Sequence, residues 1–225
     1  MIRKRNETSF KDFLFLTISG LAALFVLAFI AMNPKAKTQD VPAKAEYMLI
    51  VEWDDYIGDD IDIWVRDPNG KVLSFRNKQI GLLSLEKDDL GISNDRFFDR
   101  HGKEQIVAIN REVVTIRGVQ PGQYTVAFHV YSLLSYDVLA SNFKYFKLGT
   151  ITPSEVQKRR KVRFTLISLN PAYKEAFRVE KQYEVLGQEI HLVNFTVWDD
   201  GSIWDINTDP IQIVIRNLAT QPSQN

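Results

Sequence analysis

The sequence predicts an all-β protein: an antiparallel β-sandwich preceded by a single N-terminal transmembrane α-helix. Three observations carry this expectation. Residues 13–32 run for twenty positions without a charge, FLFLTISGLAALFVLAFIAM. From Tyr47 onward, apolar residues alternate with polar ones or fall in short blocks. Turn signals rich in Pro, Gly, Asn and Asp recur every 10–20 residues between them, which is strand periodicity. No long amphipathic helix interrupts that pattern, and residues 153–159, opening Pro153-Ser154-Glu155, are the one short-helix candidate.

Composition narrows the function classes. The 225 residues are 45% apolar and 25% charged, which is globular and excludes a disordered or collagen-like chain. Lys+Arg and Asp+Glu both number 28, so no net positive charge favours nucleic acid. There is no Cys, which removes disulfides, thiolate zinc sites, iron–sulfur clusters and thiol catalysis. Three His are too few for a multi-His metal centre. A sandwich of about 175 residues buries enough apolar surface to stand without staples.

Taken in order, residues 1–12 form a short tail carrying Arg3, Lys4, Arg5 and Lys11. Residues 13–32 as a helix rise ~30 Å, the thickness of a bilayer's hydrocarbon core. The run exceeds a signal peptide's apolar region and ends without a small-x-small cleavage site, so it reads as an uncleaved anchor. The basic tail places the N-terminus in the cytoplasm and the C-terminal domain in the periplasm of an inner-membrane, single-pass protein. Residues 33–45, NPKAKTQDVPAKA, are a polar linker able to reach about 45 Å when extended. Residues 46–220 are the sandwich, and 221–225 a frayed tail.

Within the sandwich, Tyr47 to Val51 is an apolar run suited to a buried strand. Ile61, Ile63 and Val65 alternate with Asp60, Asp62 and Trp64, and Asp67-Pro68-Asn69-Gly70 makes a turn. Residues 104–117 and 161–169 form strands. Tyr124, Val126, Phe128 and Val130 supply an inward face after the Pro121-Gly122 turn. Residues 189–198 follow, and residues 211–215 close the domain.

Two places carry candidate chemistry. The first is the start of the helix. At 100° per residue, Ser19 and Ala23 lie within about 20° of Asp12 on one helix face. Thr17, Gly20 and Ala22 add small or polar character nearby. A carboxylate above small residues suits close helix packing and a titratable site. A solvated interfacial Asp at a helix start fits the same residues. The stretch Phe10-Lys11-Asp12-Phe13-Leu14-Phe15, leading into a single span with small residues, resembles the N-terminus of ion-driven stator subunits of the MotB, ExbD and TolR type. The resemblance covers residues 8–34. It implies that Asp12 carries the translocated proton, with Thr17, Ser19, Gly20 and Ala23 lining or packing the pore. It also implies a dimer of this chain inside a pentamer of a multi-span partner subunit, coupling proton-motive force to a load held by the sandwich. No OmpA-like peptidoglycan-binding sequence follows.

The second place is acidic. Asp54, Asp55, Asp59, Asp60 and Asp62 fall within nine residues at a strand–loop–strand junction, and Asp88 and Asp89 form a second acidic loop with Asn94 and Asp95. Two such loops at one end of a sandwich could supply the six to eight oxygens that Ca2+ takes. Turn capping and a soluble sheet edge explain the same residues. The spacing is not an EF-hand. The order of Trp53, Asp60, Asp62, Val65, Asp67, Pro68 and Gly70, with Pro121, Gly122, Tyr124 and Val126, resembles an uncharacterised bacterial Asp-rich β-sandwich domain over residues 47–131. That resemblance implies the fold and no activity. The run Lys158-Arg159-Arg160-Lys161 reads as a solvated edge. No metalloprotease, serine-hydrolase, phosphate-loop or dinucleotide motif is present, and the chain is not expected to be an enzyme. Two functions therefore stand: a stator-type subunit working through Asp12, or a membrane-anchored binding or structural module with a calcium-binding pair of loops.

Overall fold

The computed structural model describes residues 2–32 and 44–213, which fall into two units: a helix and a β domain. The helix, α1, spans Ile2–Met32. Its segment Ser9–Phe29 is long and apolar enough to cross a membrane, and every described side chain along it is exposed. Leu and Ala without Pro favour the helix. Thr17 spends its hydroxyl within the helix, donating from Oγ1 to the Phe13 carbonyl at 2.8 Å, which keeps a polar group satisfied in an apolar setting.

The β domain is a two-sheet sandwich in which every strand pair is antiparallel. Its strands are β1 (Tyr47–Trp53), β2 (Asp60–Arg66), β3 (Val72–Leu73), β4 (Gln79–Ile80), β5 (Leu83–Lys87), β6 (Arg96–Phe98), β7 (Glu104–Ile106), β8 (Arg111–Ile116), β9 (Gly122–Ser132), β10 (Lys161–Ser168), β11 (Lys174–Gln182), β12 (Glu189–Val197) and β13 (Ile203–Asn207). One sheet has the order β11-β10-β1-β8-β5-β4 and the other β13-β12-β9-β2-β3, with β6 and β7 as a separate hairpin. Two short helices, α2 (Tyr136–Tyr145) and α3 (Pro153–Arg159), connect β9 to β10.

The core follows from the period of two. Leu49, Val51, Val114, Ile116, Phe164 and Leu166 point inward from the first sheet. Ile61, Ile63, Val65, Val126, Phe128 and Phe195 meet them from the second. Burying each such side chain contributes about 1.5–3 kcal/mol, and two inner faces stacked this way define a sandwich. The tips are held by turn chemistry. Asp67 Oδ1 accepts the Asn69 and Lys71 N–H groups at 3.0 and 2.8 Å. Gly122, at φ +124°, sits so close to this turn that a Cβ would lie 2.6 Å from Pro68 Cβ.

Several local expectations are corrected. The Ile- and Val-rich stretch 104–117 is two strands, because residues 107–110 leave the hairpin and β8 starts anew in the first sheet. The helix α2 was not anticipated; it buries only Leu139 and Phe143, which pack with Ile57, Ile151 and Val156 in a small second cluster. The edge strand β11 was also missed, since its charged, mostly exposed sequence masks the alternation. Residues 211–213, expected to close the domain, do so without strand pairing. Instead Ile213 packs on Trp64 and Ala127, on the outer face of the second sheet, and residues 214 and 215 lie outside the described residues. The expected helix at 153–159 is α3, with Thr152 and Glu155 forming a capping box and Pro153 in the first turn.

Candidate functional site

The chemistry-bearing residues gather where the first sheet closes over the edge of β2. The strand β2 is buried on both faces: Ile61, Ile63 and Val65 in the core, and Asp60, Asp62 and Trp64 on the other side. Its partner β3 covers it only at Val65 and Arg66. On β8, Glu112 shares the inward phase of Val114 and Ile116 and is 1% exposed. Its Oε2 accepts the Ile63 N–H at 2.5 Å, so a side chain from one sheet takes a backbone donor of the other. Asp88 follows β5, the neighbour of β8, and its Oδ2 pairs with Lys78 Nζ at 2.7 Å.

Asp62, Asp88 and Glu112 converge here. One oxygen from each lies within 4.8 Å of the others. Asp62 Oδ2, Asp88 Oδ1 and Glu112 Oε1 are each buried without a hydrogen-bond partner, as is Asp60 Oδ1 nearby. The nearest base to Asp62 is His129, its cross-strand neighbour, with Nδ1 at 3.9 Å from Oδ2. Lone pairs buried without a donor are costly, and burial raises the carboxyls of Asp60, Asp62 and Glu112 that carry them. Burial, then Asp62, Asp88 and Asp89, push the Asp60 carboxyl up to about 7 against a small opposing pull from His129. Burial also raises Asp62, with His129 opposing. Burial first raises Glu112 well above its ordinary 4.5; the Ile63 N–H opposes this, while the charge of Asp62 and a carboxyl–carboxylate contact with Asp88 add to it. The donors are carboxylate oxygens, the chemistry of a hard cation rather than of zinc.

The two acidic loops do meet. Gly91, at φ +58°, packs so tightly that a Cβ would lie 2.4 Å from the Gly58 carbonyl oxygen, and Ile92 N–H reaches that same oxygen at 3.4 Å. Most of the expected ligands are nevertheless engaged elsewhere. Asp54 accepts the Tyr56 N–H at 3.0 Å and pairs with Arg159 at 2.8 Å. Asp55 accepts the Asn110 N–H at 3.3 Å. Asp89 takes the Gly91 and Arg111 N–H groups and the Lys87 ammonium. Asp59 is fully buried and satisfied: Arg160 donates from Nε at 2.9 Å, Tyr183 from its hydroxyl at 3.0 Å and Leu134 from its N–H at 2.7 Å. These four lie outside the converging group of Asp62, Asp88 and Glu112. Of the seven Asp, only Asp60, Asp62 and Asp88 offer free buried oxygens. Glu112 was missed, although an acid in phase with Val114 and Ile116 was its signal. The basic run is corrected too, since Arg160 is a buried partner of Asp59 rather than a solvated charge.

On α1, Asp12, Thr17, Ser19, Gly20 and Ala23 are all exposed along the helix. Comparison of the chain with protein-family models, with curated proteins and with solved structures gives no match.

Proposed function

We propose that this protein is a single-pass membrane-anchored module whose β-sandwich works outside the membrane, docking onto or bracing another envelope component. The observation that carries this reading is α1: its segment Ser9–Phe29 is long and apolar enough to cross a membrane. Such a segment calls for lipid or for other helices. Arg3, Lys4, Arg5 and Lys11 favour a cytoplasmic N-terminus and hence a periplasmic sandwich in a two-membrane cell. The sandwich has its own hydrophobic core.

Two treatments of native membranes test it. The chain should stay in the pellet after alkaline carbonate extraction. Protease added to spheroplasts should remove the sandwich while leaving an epitope on residues 1–12 intact. Extraction by carbonate, or a sandwich protected from outside protease, contradicts the reading.

A second reading keeps Asp12 as the proton carrier of a stator-type subunit, two copies of the chain being held within about five copies of a multi-span partner. The placement of Asp12, Ser19 and Ala23 on one exposed helix face favours it. Under this reading Asp12→Asn abolishes function and leaves assembly intact. Under the anchor reading the same variant is silent.

A further inference from the structure

We propose that Asp62, Asp88 and Glu112, with Asp60 beside them, form a buried site for one calcium ion that clasps the two sheets together at the open edge of β2. The site draws on three separate segments: β2, the turn after β5, and β8. Only the folded sandwich brings them together.

Geometry fits the ion. Oxygens bound to one Ca2+ at 2.3–2.6 Å lie at most about 5 Å apart, and the three carboxylate oxygens here lie within 4.8 Å of one another. Each residue that converges keeps one oxygen buried and unpartnered. Two of them have the other oxygen held in place. Glu112 is fixed through Oε2 to the Ile63 N–H, and Asp88 through Oδ2 to Lys78. These bonds aim the remaining oxygens inward, as the supporting shell of a metal site does. Glu112 is the decisive residue. It is 1% exposed, stands in the phase that Val114 and Ile116 use to fill the core, and leaves Oε1 without any donor. A sandwich that needed only packing would place an apolar side chain there.

Charge points the same way. Four carboxyl groups meet three basic ones: Lys78, which is half exposed, Arg76, whose charge acts on Asp62, and His129, whose Nδ1 is 3.9 Å from Asp62 Oδ2. Ionised together, the four would place excess negative charge in a desolvated position, which a divalent cation offsets. Calcium is favoured over magnesium because its coordination is flexible and carboxylate-rich, whereas magnesium keeps several of its waters. Asp88, whose side chain is 18% exposed, leaves a side on which water can complete the six to eight oxygens of a calcium shell. Zinc is disfavoured by the lack of thiolates and by the single imidazole. The ion so placed is structural: it fastens β8 to β2 where β3 leaves the edge uncovered.

The test uses the full-length chain in mild detergent, stripped with EDTA and dialysed. Calcium chloride is titrated calorimetrically, with magnesium chloride in parallel, and each form is melted. The expected result is one Ca2+ per chain, a higher melting temperature with calcium, and weaker binding of magnesium. Glu112→Gln and Asp88→Asn should each weaken calcium binding by roughly tenfold or more. Asp54→Asn and Asp55→Asn should leave it unchanged. Should Glu112→Gln fail to fold, Asp88→Asn carries the comparison, because its side chain is 18% exposed and already half engaged with Lys78. The proposal is overturned if the folded wild-type chain binds no calcium at millimolar concentration, if magnesium binds more tightly, or if the Asp54 or Asp55 variants lose the site while Asp88→Asn keeps it.

Discussion

Asp59 shows how differently two buried carboxylates can be treated within a few residues of each other. Its oxygens are shared among Arg160, Tyr183 and the Leu134 N–H, so it is a finished structural joint. Removing one partner strands the other, and Arg160→Met should cost about 3–5 kcal/mol in urea unfolding; a loss under 1 kcal/mol would contradict that assignment. Asp95 is different again. Burial, then Asp89 and Asp55, raise its carboxyl from the ordinary 3.8 to about 6, with Lys87 opposing. Between those values the native state binds more protons than the unfolded chain, so this residue's contribution to stability falls as pH rises from about 4 to about 6. Asp95→Asn should therefore melt higher than the wild type at pH 7 and show no such gain at pH 4. None of these roles was readable from sequence, because Arg160 and Tyr183 stand 101 and 124 residues from Asp59. What sequence shows is an Asp-rich stretch; which members are free depends on partners the fold brings.

At the scale of elements, legibility followed burial. The strands β1, β2, β9, β10 and β12 were readable because Leu, Ile, Val and Phe are concentrated along them and fill the core. The capped helix α3 was readable because Thr152, Pro153 and Glu155 spell its start. By contrast α2 buries a single turn-to-turn pair, Leu139 and Phe143, too narrow a stripe to register as amphipathic. The edge strand β11 carries Lys, Glu and Arg that keep it from pairing with other chains. The junction of the two acidic loops gives an element-scale prediction. Gly91→Ala forces a side chain into the left-handed region and against the Gly58 carbonyl, and should cost more than the ~1 kcal/mol that separates Gly from Ala in an ordinary helix. Thermal melting of that variant checks it, and an unchanged midpoint would mean the loops do not pack as described.

At the scale of the whole molecule, the chain divides into an apolar helix and a sandwich with its own hydrophobic core. That division was legible at once, since twenty uncharged residues and a period of two leave few alternatives. Function was legible only as a choice between Asp12 and the acidic loops. The sandwich redirects the second option from Asp54, Asp55, Asp59 and Asp89 to Asp60, Asp62, Asp88 and Glu112. The anchor account predicts that Asp12→Asn leaves membrane association, folding and activity unchanged, whereas Asp88→Asn weakens calcium-dependent stability. The most direct single measurement is native mass spectrometry of the complex extracted in mild detergent from its own membrane. The account predicts a chain that carries one calcium ion and is not enclosed by a ring of multi-span subunits. A cation-free pair of chains held within about five copies of a multi-span protein would contradict it and return Asp12 to the centre of the mechanism.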